Sequence, residues 1–401
     1  MFIYGRLMRG DAEMLSFALN NSWIDTITFV HWNAGYINLF SNFISFVNSK
    51  LISLENAALF NIYSNFSINL IILYIILFEK SILFKSFTER FLVSLIVVIS
   101  PIFVFEIWLD SLNAQVYLGI LTLLILLSYN SKLKFFFYFP IIVLSGLTGI
   151  YSCLLLPAFF FKAHSTKNKF DYINFFLILI TSSIQLFLIF YSKISQRLFE
   201  GKLNTDLFLN LNEFISYSYN ILIRPFFSTS FSNFIIDDLF NLRNNYLLLI
   251  IFSIVTFLIL LIFLTNFLKN LITVKKDDKI LHIILIYYFI SSSILVTVGG
   301  VSDWVGGRYS VIPSFCLTLM IVKLIFVNSK SFLKYVYSIL IIFSLINGVY
   351  DFQNPKYIEF YKCINCVHWK DEVALYKENK NYKVRVWPYK QEVNLNSSKF
   401  K

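Results

Sequence analysis

Residues 57–78 read AALFNIYSNFSINLIILYIILF, an apolar run without a charged side chain. A helix crosses the hydrocarbon core of a bilayer with about 20 such residues. This run is therefore long enough to span a membrane, and the same pattern recurs along the chain. The further spans that it predicts are residues 91–109, 112–129, 135–150, 172–191, 246–268, 280–298, 309–327 and 333–349.

The composition also indicates a membrane protein. The chain has 401 residues, of which 57% are hydrophobic and 14% charged, and a soluble core of this length would need fewer apolar residues. Residues 151–161, which Pro157 interrupts, are too short for a full crossing and are predicted as a tenth, abbreviated helix. The predicted fold class is all-α: a polytopic membrane protein of about ten transmembrane helices.

Lysine and arginine are distributed unevenly between the predicted loops. Basic residues near span ends are retained on the cytoplasmic side, whereas long translocated segments are exempt from this rule. With ten crossings, the short loops of one set contain Arg308 alone. The other set contains Lys80, Lys85, Arg90, Lys132, Lys134, Lys162, Lys167, Lys169, Lys269, Lys275, Lys276, Lys279, Lys323, Lys330 and Lys334. This asymmetry predicts a bacterial inner-membrane protein with an extracytoplasmic N-terminal segment and tail.

The net charge of +11 does not require a nucleic acid. Most of the positive charge lies in the predicted cytoplasmic loops or in the tail. The predicted surroundings are therefore membrane lipid, and no nucleic-acid partner is expected.

The chain divides into three predicted parts. Residues 1–56 form an extracytoplasmic segment, whose helices at 12–21 and 36–48 mix apolar and polar residues as interfacial helices do. Residues 57–349 form the transmembrane domain, and residues 350–401 an extracytoplasmic tail. The transmembrane domain includes one large extracytoplasmic loop, residues 192–245.

The orientation raises a question about the N-terminus. An exported N-terminal segment requires a preceding span or a signal peptide, and residues 1–10 are too short and too basic to be either. We therefore expect that a first transmembrane helix precedes this start.

The four cysteines fall into two groups. Cys153 and Cys316 lie in predicted spans and are expected to pack as small apolar residues. Cys363 and Cys366 form a CxxC pair in the exported tail, where a disulfide can form in an oxidising compartment. A zinc site at this pair would need two more ligands, and His368 supplies one. No metal site is predicted there.

Several stretches together resemble one family. RGDAEML at residues 9–15 carries an acidic pair in an early exported segment, and AGYINLFSNFISFV and ISLENAALFNIYSN follow at residues 34–65. Later come SLNAQVYLGI at 111–120, GGRYSVIPSFCLTLMI at 306–321 and WKDEVALYKENKNYKVRVWPYKQEVNL at 369–395. In this order they resemble the GT-C superfamily of membrane glycosyltransferases. The resemblance implies a polyprenyl-phosphate-sugar donor and inversion at the anomeric carbon.

Asp11 is the candidate catalytic residue. Glycosyl transfer from a lipid-linked phosphate requires a carboxylate that deprotonates the acceptor hydroxyl, and Asp11 matches the acidic position in the first loop of the family. The alternative is that Asp11 caps a helix over residues 12–20. Glu13 is two residues away and would lie on another helical face, where it could bind substrate, bind metal or face water.

Arg308 is the candidate phosphate ligand. An arginine at the exported end of a span can hold phosphate through its planar donors, and the two glycines before Tyr309 would allow a head group to approach the backbone. Arg308 and Tyr309 are therefore predicted to bind the donor. Alternatively, Arg308 reaches to the interface beside Trp304. Asp303 could pair with Arg308 or remain solvated.

A third group of polar residues lies between two predicted spans. Charges next to a span usually face a wet cavity, so Glu106, Asp110, Asn113 and Gln115 are expected to line the same pocket as Asp11. Asn113 and Gln115 match the NAQ phrase and are predicted to hydrogen-bond substrate. Asp110 is the weakest candidate, because a short loop often holds an aspartate for turn formation alone.

Other polar and aromatic residues have structural interpretations that we prefer. His31 could position a substrate, but an interfacial structural histidine is the simpler interpretation. In the tail, Trp369, Trp387 and Tyr389 could stack on sugar rings, or they could anchor the tail on the membrane domain. Anchoring is the default prediction.

The predicted function is transfer of a sugar from a polyprenyl-phosphate donor to an unknown acceptor at the extracytoplasmic face. A divalent cation, Mg or Mn, could assist but is not required, because Arg308 can stabilise the departing phosphate. One alternative is a lipid-linked polysaccharide polymerase or ligase, which would depend on Arg197, Arg224 and Arg243. The other is a transporter or flippase, for which polar or broken helices near the midplane would be expected.

Overall fold

The computed structural model describes the chain in segments. The described residues are 6–31, 35–79, 81, 84–100, 110–129, 131–200, 221–227, 246–273, 276–299, 310–327, 332–353, 367–387 and 390–397. Of the predicted loop 192–245, residues 192–200 and 221–227 are thus described. Cys363 and Cys366, with their predicted disulfide, lie outside these segments.

Helices dominate the described residues, in agreement with the all-α prediction. They are α1 (Arg9–Asn20), α2 (Trp23–Ile27), α3 (Leu39–Lys50), α4 (Ala57–Phe78), α5 (Phe87–Ile99), α6 (Ala114–Leu127), α7 (Lys132–Gly146), α8 (Leu156–Thr166), α9 (Lys169–Glu200), α10 (Tyr246–Thr273), α11 (Lys276–Gly299), α12 (Val311–Val327), α13 (Phe332–Gln353) and α14 (Trp369–Glu378). Two short antiparallel hairpins pair β1 (Val30–His31) with β2 (Tyr36–Ile37) and β3 (Lys383–Val386) with β4 (Gln391–Asn394).

Each predicted span carries a helix, but fewer helices than predicted have the length and composition of a span. Within the described segments, three stretches are long and apolar enough to cross a membrane: Leu54–Phe78, Lys169–Ser192 and Phe332–Asp351. Other apolar helices are shorter. The 14 residues of α6, for example, extend about 21 Å, less than the roughly 30 Å of a hydrocarbon core. The fold is therefore helical and compatible with a membrane protein.

The abbreviated tenth helix begins later than predicted. Residues 151–152 are in a turn, a 3₁₀ turn occupies Cys153–Leu155, and α8 follows from Leu156. Pro157 lies in the first turn of α8 and so starts this helix rather than interrupting it. Proline is well suited to that position, because the N–H that it lacks has no partner in the first turn of any helix.

The inward faces of α4 and α9 include buried amide side chains, and their outward faces carry large apolar side chains. Asn61 and Asn65 of α4 are each 2% exposed, whereas Tyr63 is 61% exposed. In α9, Asn174 is buried and Phe187 is exposed. Large exposed apolar surfaces are rare in soluble monomers, and polar residues of membrane helices face the bundle interior. This arrangement is the one expected when lipid surrounds the helices.

The main core lies around α6. Every residue of α6 is buried, and α4, α7, α8 and α12 pack against this helix. A helix that is apolar all round requires burial on every side, and the sequence of α6 contains no charged residue. The bundle therefore holds α6 at its centre, with the start of α6 at Ala114 directly following the polar residues 110–113.

One end of the bundle concentrates buried ion pairs. Lys323 Nζ lies 2.5 Å from Glu89 Oε1, and Lys162 Nζ lies 3.2 Å from Asp171 Oδ1. Lys162 and Lys323 are 3% and 5% exposed, so these lysines of the predicted cytoplasmic loops are paired rather than solvated. We call this end of the bundle the basic end.

The N-terminal segment and the tail pack against each other. Trp387 N donates to the Leu7 carbonyl at 2.9 Å, and Arg9 N donates to the Trp387 carbonyl at 2.7 Å. Trp369 is 2% exposed and donates from Nε1 to the Leu54 carbonyl at 2.8 Å. Trp369 therefore anchors the tail, but its indole bonds to Leu54 of the N-terminal segment rather than to the predicted membrane domain. Tyr389, from the same prediction, lies outside the described residues. The residues of this second core are Leu7, Ala12, Leu15, Ala57, Ala58, Trp369, Val373, Tyr376, Val384, Val386, Val393 and Leu395.

Gly348 provides a test of the helix packing between α13 and α5. A Cβ at Gly348 would lie 1.7 Å from the backbone oxygen of Ile99, which cannot rotate away as a side chain could. We expect Gly348→Ala to destabilise the fold by about 1–3 kcal/mol, measured as a lower melting temperature in detergent. Val349→Ala, at a 41% exposed neighbour, is the control. Equal melting temperatures for the two variants would contradict this packing.

Candidate functional site

Asp11 is buried in the first turn of α1. The helix begins at Arg9 and its N-cap residue is Met8, so the prediction that Asp11 caps the helix is wrong. Instead, Asp11 is 3% exposed and lies on the face of α1 that packs toward α3. A carboxylate in the first turn is favoured by the helix dipole.

The Asp11 carboxylate accepts hydrogen bonds from two other parts of the chain. Ser111 donates from Oγ to Oδ1 at 2.5 Å and from its backbone N to Oδ2 at 3.3 Å. Asn61 of α4 donates from Nδ2 to Oδ2. These bonds bring α1, α4 and the turn before α6 together at the end of the bundle opposite the basic end.

Asp110 is the second carboxyl group of the site. It is 4% exposed and lies beside Asp11, whose charge acts on it. Burial raises the pKa of both carboxyls, and the neighbouring charge of Asp11 raises the pKa of Asp110 further. Hydrogen bonds from Ser111 and Asn61 act in the opposite direction on Asp11, since they stabilise its ionised form.

We therefore expect the two buried carboxyls to hold one proton between them. Two adjacent carboxylates cannot both ionise easily in a buried site, and the pair titrates as a unit. Asp110 also accepts from Leu112 N and Asn113 Nδ2, but the charge of Asp11 raises the pKa of Asp110. We therefore expect the proton on Asp110 and the negative charge on Asp11. Such a pair can take up a proton at Asp11 from a bound hydroxyl, which is the chemistry of a general base.

Asn113 contacts this pair, whereas Gln115 contacts Tyr36 of β2. Asn113 Nδ2 donates to Asp110 Oδ2 at 2.6 Å, and Gln115 Nε2 donates to the Tyr36 hydroxyl at 3.0 Å. The Oε1 atom of Gln115 is buried and has no hydrogen-bond partner among the described residues. Gly149, at φ +83°, lies against it, so that a Cβ there would be 2.0 Å from Oε1. The predicted substrate contacts of Asn113 and Gln115 remain predictions.

Glu13 lies on a different face of α1 from Asp11, as expected from their spacing. Its Oε1 accepts from Arg9 Nε at 2.8 Å. Glu13 also lines a polar cavity of about 230 Å³ between α1 and the β3–β4 hairpin, together with Arg9, Ser16, Lys383 and Glu392. Glu13 is thus separated from the carboxyl pair by the helix, and its predicted binding of substrate would have to occur in this cavity.

The predicted phosphate ligand lies outside the described residues. Arg308 and Tyr309 belong to residues 301–309, which also include Asp303 and Trp304, and Glu106 belongs to residues 101–109. Within the described segments, no three histidine, cysteine, aspartate or glutamate side chains gather as a metal site would require. The divalent cation therefore stays a prediction without a described set of ligands.

His31 has a structural environment. It lies in β1, its Nε2 is 3.3 Å from Asn42 Oδ1, and its ring meets that of Phe29 edge to face at 5.1 Å between centroids. Burial lowers the pKa of His31 to about 4, so the ring is neutral at physiological pH. These contacts agree with the structural interpretation of His31.

This low pKa predicts that the fold loses stability in acid. Between pH 6.5, where an exposed histidine titrates, and pH 4, the unfolded chain binds a proton at His31 that the folded chain does not. Stability therefore falls as the pH is lowered, by at most about 2 kcal/mol at pH 5. We expect the melting temperature to fall more between pH 7 and pH 5 for the wild type than for His31→Gln. Equal losses would contradict a buried neutral imidazole.

Sequence reasoning underestimated three members of this site. For Asp110 the sequence predicts a place in the pocket only as the weakest candidate beside a turn, and for Ser111 and Asn61 it predicts no role. A signal was available for Asn61, because it begins a series with Asn65 and Asn69 at four-residue intervals inside an apolar span. Polar residues repeated on one face of a membrane helix indicate an interior or functional face.

Comparisons with protein-family models, with curated proteins and with solved structures give no match. The assignment of a function therefore depends on the chemistry of the site itself. The carboxyl pair, its neutral amide neighbours and its position at one end of an apolar bundle are the observations that bear on it.

Proposed function

We propose that this chain is an integral membrane glycosyltransferase of GT-C-like architecture that uses a polyprenyl-phosphate-sugar donor at the extracytoplasmic face. The observation that carries this proposal is the buried pair of Asp11 and Asp110, in which Ser111 and Asn61 donate hydrogen bonds to Asp11. A buried carboxylate that keeps its charge beside a protonated partner is suited to accept a proton from an acceptor hydroxyl. The GT-C resemblance points to the same aspartate.

The topology in this proposal is ten crossings between α4 and α13. The N-terminal segment contacts the tail, so both lie on one side of the membrane and the number of crossings between them is even. Ten satisfies this condition. The basic end, with Lys162 and Lys323, is cytoplasmic by the distribution of basic residues, which makes the end that contains Asp11 extracytoplasmic.

In the proposed reaction, the acceptor hydroxyl takes the place of the Ser111 hydroxyl at Asp11 Oδ1. Its oxygen bonds to the anomeric carbon of the sugar while the bond from that carbon to the phosphate oxygen breaks. The hydroxyl proton passes to Asp11, and polyprenyl phosphate leaves with the electron pair. Arg308 stabilises the departing phosphate, and Asn113 and Gln115 orient the sugar.

A transporter is the second candidate, and one observation favours it. Asn174 is 1% exposed on α9, and neither atom of its amide has a hydrogen-bond partner among the described residues. Unpaired polar groups inside a membrane helix mark pathways for substrates or ions. This candidate predicts substrate flux across vesicles without any cleavage of a sugar donor.

Donor turnover in native membranes tests the proposed function. Vesicles from the producing bacterium carry the natural acceptors, so polyprenyl phosphates that bear radiolabelled hexoses or pentoses can be supplied directly. The proposal predicts a labelled product, with release of polyprenyl phosphate, in vesicles that contain the wild-type chain. Absence of any chain-dependent product across these donors would contradict it, and flux of intact substrate would favour the transporter.

A further inference from the structure

The contact between Asn61 and Asp11 requires one orientation of the Asn61 amide. An asparagine amide has a donor end and an acceptor end, whereas an ionised carboxylate only accepts. In the structure the NH₂ group of Asn61 is directed to Asp11. If the Asn61 amide were reversed, its oxygen would face the Asp11 carboxylate and the two would repel each other. Because Asn61 is only 2% exposed, solvent could not compensate for this repulsion.

Asn65, one helical turn further along α4, contacts the other end of that amide. Its Nδ2 lies 3.1 Å from Asn61 Oδ1 and 2.9 Å from the Asn61 carbonyl. A donor at Oδ1 selects the orientation in which the NH₂ group of Asn61 faces away from Asn65 and toward Asp11. The contact thus joins Asn65 to Asp11 through a single amide.

We propose that Asn65 is a positioning residue of the carboxyl pair, which acts by holding the Asn61 amide with its NH₂ group toward Asp11. This donor stabilises the negative charge on Asp11 and so helps to keep the proton on Asp110. The inference rests on the proposed function only for its consequence in catalysis. The positioning itself is a property of the hydrogen bonds.

Among the described residues, Asp110 is the titratable side chain that influences the pKa of Asp11. The other groups at the Asp11 carboxylate are the neutral Ser111 and Asn61, and the Ser111 hydroxyl lies 3.1 Å from that of Ser41 in α3. Loss of the Asn61 donor should therefore change the proton affinity of the pair directly.

Asn69 provides a matched control on the same helix. It is 8% exposed. Its Nδ2 donates to the backbone carbonyl of Asn65 at 3.2 Å, and not to the side chain of Asn65, Asn61 or Asp11. Asn69→Leu therefore removes a buried amide of the same kind without changing the orientation of Asn61. Asn61→Leu, which removes the donor itself, sets the largest effect to be expected.

The experiment is an infrared titration of the purified full chain in detergent. The C=O band of the protonated pair is identified as the band that Asp110→Asn removes. For Asn61→Leu we expect about tenfold higher proton affinity of the carboxyl pair, because its ionised form loses one charge-assisted hydrogen bond. Asn65→Leu should shift the titration in the same direction by a smaller factor, and Asn69→Leu should leave it unchanged.

Asn65→Ala guards against misfolding of the leucine variant. Alanine is smaller than asparagine and adds no charge, and it cannot donate to Asn61 Oδ1, so it too should raise the proton affinity of the pair. Wild-type titration in both Asn65 variants would overturn the inference, as would a shift of equal size in Asn69→Leu. Because the band is measured without turnover, absence of sugar transfer would contradict the proposed function alone.

Discussion

Sugar transfer by the Asp11→Asn chain is expected to fall by a factor of about 100 to 10,000, the usual contribution of a general base. An amide at position 11 keeps the shape of the carboxylate but cannot accept the proton of the acceptor hydroxyl. The measurement is the rate of labelled product formation in membrane vesicles that contain equal amounts of each chain. Unchanged transfer would remove Asp11 as the base.

Two further variants show whether the loss is specific. Asp371→Asn changes an exposed aspartate of α14 and is expected to transfer sugar at the wild-type rate. Asp110→Asn retains a hydrogen-bond donor toward Asp11 but no exchangeable carboxyl proton, so its loss should be smaller than that of Asp11→Asn. Equal losses in all three variants would indicate a general defect rather than a catalytic one.

Replacement of Glu372 by Ala is expected to destabilise the contact between the tail and the N-terminal segment by about 3–5 kcal/mol. Glu372 is fully buried and accepts from Arg385 Nε at 2.7 Å, from Tyr382 Oη at 2.8 Å and from Arg6 Nη2 at 3.4 Å. Its removal leaves Arg6, 7% exposed, as a buried charge without this partner. Limited proteolysis of the tail and the melting temperature measure the effect.

Glu378→Ala is the control for this prediction. Glu378 is an exposed residue on the same helix, α14, and its replacement should leave proteolysis and melting unchanged. Glu372→Gln, which retains an acceptor without the charge, should be intermediate. If Glu372→Ala resembled Glu378→Ala, the ion pair of Glu372 with Arg6 would not hold the tail to the N-terminal segment.

The helices were largely predictable because apolar runs report on local burial. The bounds predicted for α4, residues 57–78, agree with the structure, since the run begins and ends where polar residues resume. The length of α6 was not predictable in the same way. Its apolar run continues to Tyr129, but the helix ends at Leu127 because Ser128 bridges to Ser81 of the neighbouring loop.

The site was predictable only in part, because its contacts join distant positions. The first-loop aspartate and the NAQ phrase could be selected from residue type and resemblance. For Asp110 the sequence predicted only a shared pocket with Asp11. It could not predict the direct pairing, because the two residues are 99 positions apart and no local pattern encodes such a contact. The turn interpretation of Asp110 was nonetheless correct locally: Oδ1 accepts from Leu112 N at 3.0 Å, the contact of an aspartate turn.

The second core shows the same limitation. The sequence predicted two separate exported segments and an anchor of the tail on the membrane domain. It gave no indication that the two exported segments pack against each other. Arg6 and Glu372 are 366 residues apart, so their ion pair depends on the whole bundle returning the chain to its starting side. An even number of predicted spans implies that both ends of the chain lie on the same side of the membrane. It does not specify which residues of the two ends meet.

The protonation state of the carboxyl pair is the most direct test of the central claim. In the purified wild-type chain at pH 7, the infrared difference between wild type and Asp110→Asn should contain the C=O band of one protonated carboxyl, while Asp11 remains ionised. A spectrum without that band would mean that both groups are ionised and do not share a proton. The account of Asp11 as a base held by Asp110 would then be contradicted.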